Sequence, residues 1–166
     1  MTAAAEPARL LIGGRFILDE ELTDASAPAV RLGRDALTNQ RVVVRLTPLE
    51  ALPAGHVERL RREARGLRRA SLTGLAPIRA VGDDGITAWL VHDFIEGRSL
   101  RRYLEHGPLP VIEALALGQR LLATLDGLHQ LDLVHRNVRP SNVIVPPSGL
   151  QDAVLVDFGT VRLARG

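Results

Sequence analysis

Asn142 and Asp157 are the residues of this chain whose types and placement could hold a metal ion. Each offers a side-chain oxygen, the donor that suits a hard cation such as Mg2+. Val143-Ile144-Val145 is a short β-branched run, Pro146-Pro147-Ser148-Gly149 is a turn, and Ala153 to Phe158 is a second apolar run. Together they predict a small hairpin with the two oxygen donors at its ends. Just before it, Leu133 to Ser141 sets His135, Arg136, Asn137 and Arg139 among apolar residues. The five histidines, at 56, 92, 106, 129 and 135, show no metal-ligand spacing, and the absence of Cys excludes thiolate sites and disulfides.

The elements that must position this stretch can be read from periodicity. Arg15–Leu18, Ala29–Arg34 and Arg41–Leu46 read as strands, the third being Arg-Val-Val-Val-Arg-Leu with strong β propensity. Pro53-Ala54-Gly55 breaks the chain. His56 to Ala70 is a predicted helix with Val57, Leu60, Ala64 and Leu67 on one stripe and Arg59, Arg62, Arg65 and Arg69 opposite. Strands over Pro77–Val81 and Thr87–Asp93 flank the turn Asp83-Asp84-Gly85. Ser99 is placed to cap a short helix to about His106, and Pro110 to open a long one reaching Leu131. Ile112, Leu115, Leu117, Leu121, Leu122, Leu125 and Leu128 cover more than one stripe of that helix, which is therefore expected to be buried on most sides.

Composition narrows the classes. A chain of 166 residues with 46% apolar content can bury a core, and no apolar run approaches a membrane span. Met1 to Gly14 makes a poor signal peptide, so a cytoplasmic location is the expectation. All 21 basic residues are Arg. A guanidinium keeps its proton to very high pH, which accounts for a pI of 10.2 beside a net charge of only +2. No aromatic residue interleaves the Arg59–Arg69 face, so it reads as a solvated helix face, and neither a nucleic acid nor a membrane is expected as partner.

The stretch from His135 to Gly159 resembles the catalytic loop and metal-binding motif of eukaryotic-type protein kinases, as found in bacterial Ser/Thr kinases. That family carries His-Arg-Asp-Leu-Lys-Pro-x-Asn and then Asp-Phe-Gly. His135, Arg136, Pro140, Asn142, Asp157, Phe158 and Gly159 match, whereas Asn137 replaces the catalytic Asp and Arg139 the Lys. The resemblance extends over nearly the whole chain. It implies an α+β, protein-kinase-like fold: a tail over 1–14, a five-stranded N-lobe sheet with one helix over 15–93, and a hinge with the first part of a helical C-lobe over 94–166.

The resemblance also assigns the site. Asn142 and Asp157 would face Mg2+. Arg45, in place of the strand Lys, would pair with Glu63. Val30, Val43 and Ile144 would line the adenine site, while Asp93 to Ile95 form the connector whose backbone reads adenine, with His92 at its gate. Thr23, Ala25 and Pro28 stand where the family has the three glycines that let backbone amides approach phosphates. An amide at Asn137 accepts a hydrogen bond but takes no proton at neutral pH. The expectation is a catalytically impaired pseudokinase with a regulatory or scaffolding role, binding ATP and Mg2+ weakly at most. An active but divergent Ser/Thr kinase and a ligand-free interaction module are the alternatives. No activation segment follows Gly159 in these residues, so the helix over 110–131 is expected to be covered by a protein partner, a second copy or further sequence.

Overall fold

The computed structural model describes residues 11–21 and 29–159. Thr23, Ala25 and Pro28 lie outside the described residues. The chain divides into two compact units, one comprising the residues through Val57 with Arg79–Phe94, the other Glu58–Ile78 with Ile95 onward.

The first unit is built on β-branched, alternating sequence. Strands β1 (Leu11–Ile12), β2 (Phe16–Glu21), β3 (Ala29–Asp35), β4 (Arg41–Pro48), β5 (Ile78–Asp83) and β6 (Thr87–Asp93) form one sheet in the order β1-β2-β3-β4-β6-β5. Register sorts its two faces, because residues directly opposite one another across antiparallel strands share a face. Leu18, Gly33, Val42 and Asp93 make one row, and Val44 pairs with Val91 on the same face. Ile12, Phe16, Leu18, Val42, Val44 and Val91 are the buried core there, with Leu46, Ala80 and Trp89 packed against it. Each such aliphatic side chain contributes about 1.5–3 kcal/mol by leaving water. The opposite face carries Val30, Leu32, Val43, Arg45, Leu90 and His92.

The sheet has one strand more than the sequence predicts. Gly13 and Gly14, both at positive φ, reverse the chain so that the two-residue β1 pairs with Ile17 and Phe16. Next to that turn the buried Asp35 accepts from Arg15 Nε at 2.8 Å and Nη2 at 2.5 Å, and from the Leu37 amide at 3.0 Å. Arg15 holds the Asp35 carboxyl at about 2, well below the usual carboxylate range.

The second unit holds the helices α1 (His56–Ala70), α2 (Leu100–Leu104) and α3 (Val111–His129) and a small sheet of β7 (Arg98–Ser99), β8 (Val143–Val145) and β9 (Val154–Leu155). Leu60, Ala64 and Leu67 of α1 are buried, as its stripe predicts. Ser99 caps α2, its hydroxyl accepting from the Arg102 amide at 3.3 Å. Leu117, Thr124 and Leu128 of α3 are buried, and Arg120 Nε donates to the Ala153 carbonyl at 3.2 Å. Val111, Ile112, Leu115 and Leu122 of α3 are exposed, so this helix is not buried on most sides among the described residues. No helix among the described residues is long and apolar enough to cross a membrane.

Candidate functional site

The loop after α3 is held from within. His135 is buried and stacks edge-on against Phe158, with ring centroids 6.0 Å apart at 85°. Its Nδ1 accepts the Asn137 amide at 3.3 Å, so the neutral ring carries its hydrogen on Nε2, which finds no hydrogen-bond partner among the described residues. Burial lowers His135 to about 4 against a smaller upward pull from the Val156 carbonyl, a pull that falls short of hydrogen-bond geometry. At neutral pH His135 is therefore an uncharged ring packed against Phe158.

Asn137 is fixed from both sides of its backbone. Its amide donates to His135 and its carbonyl accepts from Asn142 Nδ2 at 2.9 Å. That second bond orients the buried Asn142 amide and leaves Oδ1 as the acceptor atom, to which the Ser141 hydroxyl donates at 3.4 Å. The Asn142 carbonyl accepts the Val156 amide at 2.9 Å, which ties the residue before Asp157 to Asn142. β8 and β9 pair antiparallel, Val143 opposite Leu155 and Ile144 opposite Val154, so the predicted hairpin is present. Asp157 has φ +69, a left-handed conformation that costs a non-glycine residue about 1–2 kcal/mol. The amide oxygen of Asn142 and the carboxylate of Asp157 are donor types that suit Mg2+, which takes one or two protein oxygens and completes its shell with phosphates and water. Arg139 is exposed and donates from Nε to the Ser141 hydroxyl at 2.5 Å.

One contact here has no signature in the sequence. Arg136, at φ +65, donates from Nη2 to Glu63 Oε1 at 3.3 Å, and Arg59 Nε lies 3.6 Å from the same oxygen. Glu63 is nearly buried and its Oε2 has no hydrogen-bond partner among the described residues. The sequence assigns Glu63 to Arg45. The two residues belong to different units, and the cations that Glu63 meets within its own unit are Arg136 and Arg59. A nearly buried carboxylate signals that it needs a cation, but not which of 21 arginines supplies it.

The remaining candidates divide between the units. Val30 stands opposite Arg45, and Val43 opposite His92, on the sheet face away from the core. These half-buried valines flank the guanidinium of Arg45, and register puts Arg34 and Arg41 further along the same face. Asp93 ends β6, its carboxylate gripped by Arg79 through both oxygens, with Nη2 to Oδ2 at 2.8 Å. The buried His92 bonds the Asp93 carbonyl at 2.9 Å. In the second unit Ile95 is half-buried, and Ile144 lies between the buried Val143 and Val145, so it faces the other side of β8. Thus Asn137, Asn142 and Asp157 belong to the second unit, tied through the Asn142–Asn137 and Val156–Asn142 hydrogen bonds, while Val30, Val43 and Arg45 share one face of the first.

Residues 19–166 match the protein kinase domain family. The serine/threonine-protein kinase pkn2 of Myxococcus xanthus is 34% identical over 159 residues, which cover 95% of this chain and 19% of that protein. The serine/threonine-protein kinase PknL of Mycobacterium tuberculosis is 31% identical over 156 residues, covering 92% of this chain and 38% of that protein. The chain thus spans well under half the length of these curated relatives. The crystal structure of the PknI kinase domain of Mycobacterium tuberculosis matches with a TM-score of 0.78 at 23% identity, over 96% of this chain and 64% of that one. At that identity the likeness speaks for the fold alone. With a match that runs from Asp19 through the His135–Gly159 loop and hairpin, the chain belongs to the protein kinase domain family.

Proposed function

We propose that this chain is a catalytically impaired protein-kinase-like domain, a pseudokinase, that binds Mg2+-ATP weakly and acts by regulation or scaffolding. The observation that carries the reading is Asn137. Its backbone is held on both sides, and in the motif it stands at the position of the family's carboxylate that accepts the substrate hydroxyl's proton. Losing a positioned base costs about 10²–10⁴-fold in rate. Asn142 and Asp157 would hold Mg2+, and that ion, when bound, would offset phosphate charge. Arg45 would offer a cation on the sheet side, and Arg139 one on the loop side. Because a guanidinium is planar and bulkier than an ammonium, neither substitution is conservative.

The exposed residues Val111, Ile112, Leu115 and Leu122 support a polypeptide cover over α3, from a partner, a second copy or more of the same protein. A clean monomer by light scattering at high concentration, with no added dye binding, counts against that cover. An active Ser/Thr kinase is the second reading, favoured by the names of the relatives. Thermal melting with Mg2+-ATP, paired with transfer of radiolabelled γ-phosphate to protein, separates the readings. A rise in melting temperature without transfer supports the pseudokinase. Robust transfer that is lost in Asp157→Ala overturns it, and no response to ATP points to a ligand-free module.

A further inference from the structure

We propose that His92 sets nucleobase selectivity: its ring N–H occupies the Asp93 carbonyl, so a base's exocyclic amine is read poorly there. The inference rests on the reading that the chain binds Mg2+-ATP. His92 Nδ1 lies 2.9 Å from the Asp93 carbonyl oxygen. A carbonyl oxygen only accepts, so Nδ1 carries the hydrogen. His92 is 4% exposed, and burial, helped by the charge of Arg45, lowers its pKa, which keeps the ring neutral and in one tautomer at pH 7. Register sets His92 opposite Val43 and two pairs along from Arg45, on the sheet face that carries Val30. The carbonyl that His92 bonds is therefore engaged from that same face. Asp93 cannot turn away readily, because Arg79 holds its carboxylate through both oxygens.

The consequence follows from competition for one oxygen. Asp93 belongs to the connector whose backbone the kinase resemblance assigns to the base. A ligand amine arriving there must share the carbonyl with a buried donor that is already in place. It gains less than a full hydrogen bond, whose net worth of about 0.5–1.5 kcal/mol corresponds to roughly 2–13-fold in affinity. His92 is thus a specificity-determining residue that flattens the preference for adenine.

The test compares Mg2+-ATP with the Mg2+ complex of purine riboside triphosphate, which lacks only the exocyclic amine, by equilibrium titration. Wild type is expected to bind the two within about 2-fold, and His92→Met, which has no donor, to favour ATP by about 3–10-fold. A wild type that already favours ATP by that factor, or a His92→Met ratio equal to wild type, overturns the inference. Should His92→Met fail to fold, His92→Leu, which also has no donor, tests the same ratio. Imidazole 15N NMR of the wild type needs no variant: Nδ1–H is expected at pH 7, and the Nε2–H tautomer overturns the inference. Binding of both triphosphates without the predicted change in ratio refutes this inference alone. Failure of both to bind either protein overturns the nucleotide reading and takes the inference with it.

Discussion

Asn137→Asp restores a carboxylate to the loop and is expected to raise phosphoryl transfer by about 10²–10⁴-fold. At 1.36 kcal/mol per decade, that is about 2.7–5.4 kcal/mol off the barrier. The local structure favours a clean substitution. The hydrogen bonds that fix residue 137 use its own amide and carbonyl, which the exchange leaves alone. Asp and Asn have nearly the same shape, and the half-buried site already accommodates it. The neighbouring Arg136 and Arg139 are cations that favour an ionised acceptor. The assay is single-turnover transfer of radiolabelled γ-phosphate in the whole protein that carries this chain, at saturating Mg2+-ATP. Mg2+-ATP affinity is measured alongside, so that a change in binding is not read as a change in chemistry. A rate unchanged at equal affinity and equal melting temperature refutes the argument that the missing base limits this site.

Further outcomes follow from single contacts. The folded-state value of Asp35 is depressed, so the stability it brings is complete above its ordinary 3.8 and is lost as pH falls through about 2. Urea unfolding should show Asp35→Asn less stable than wild type by about 1–3 kcal/mol at pH 7, a gap that closes in that acid window; a gap unchanged at the acid end contradicts it. Arg136→Ala and Glu63→Gln, combined in a double-mutant cycle, are expected to couple by about 0.5–2 kcal/mol, and strict additivity would remove the pair from the account. Gly97 has φ +146, and an added Cβ would run into the Val145 carbonyl; Gly97→Ala should lower stability by about 1–3 kcal/mol, and an unchanged melting temperature speaks against the β7–β8 geometry.

The sequence made the elements that bear strong patterns legible. The stripe of α1, the Arg-Val-Val-Val-Arg-Leu run of β4 and the hairpin between Asn142 and Asp157 all stand where periodicity and turn residues placed them. β1 and β7 were not legible, because two residues carry no period; their pairing depends on Gly13-Gly14 and on the close approach at Gly97. The apolar wrap of α3 correctly marked a helix, yet it overstated burial among the described residues, since hydrophobicity records what a helix needs covered and not what covers it. At the site, residue types came from the motif, and two further contacts did not. The Arg136–Glu63 contact spans 73 positions of sequence, and the His92 bond to the Asp93 carbonyl depends on a ring orientation that no pattern encodes.

The central claim is that this site keeps its metal-facing oxygens and lacks a proton acceptor. It is tested most directly by titrating wild type and Asp157→Ala with Mg2+-ATP while following the γ-phosphate in the same samples. The account predicts saturable binding by wild type, at least 10-fold weaker in Asp157→Ala on the order expected for loss of a metal ligand, with the label remaining on ATP throughout. Label passing rapidly to protein in wild type, and ceasing in Asp157→Ala, would contradict it.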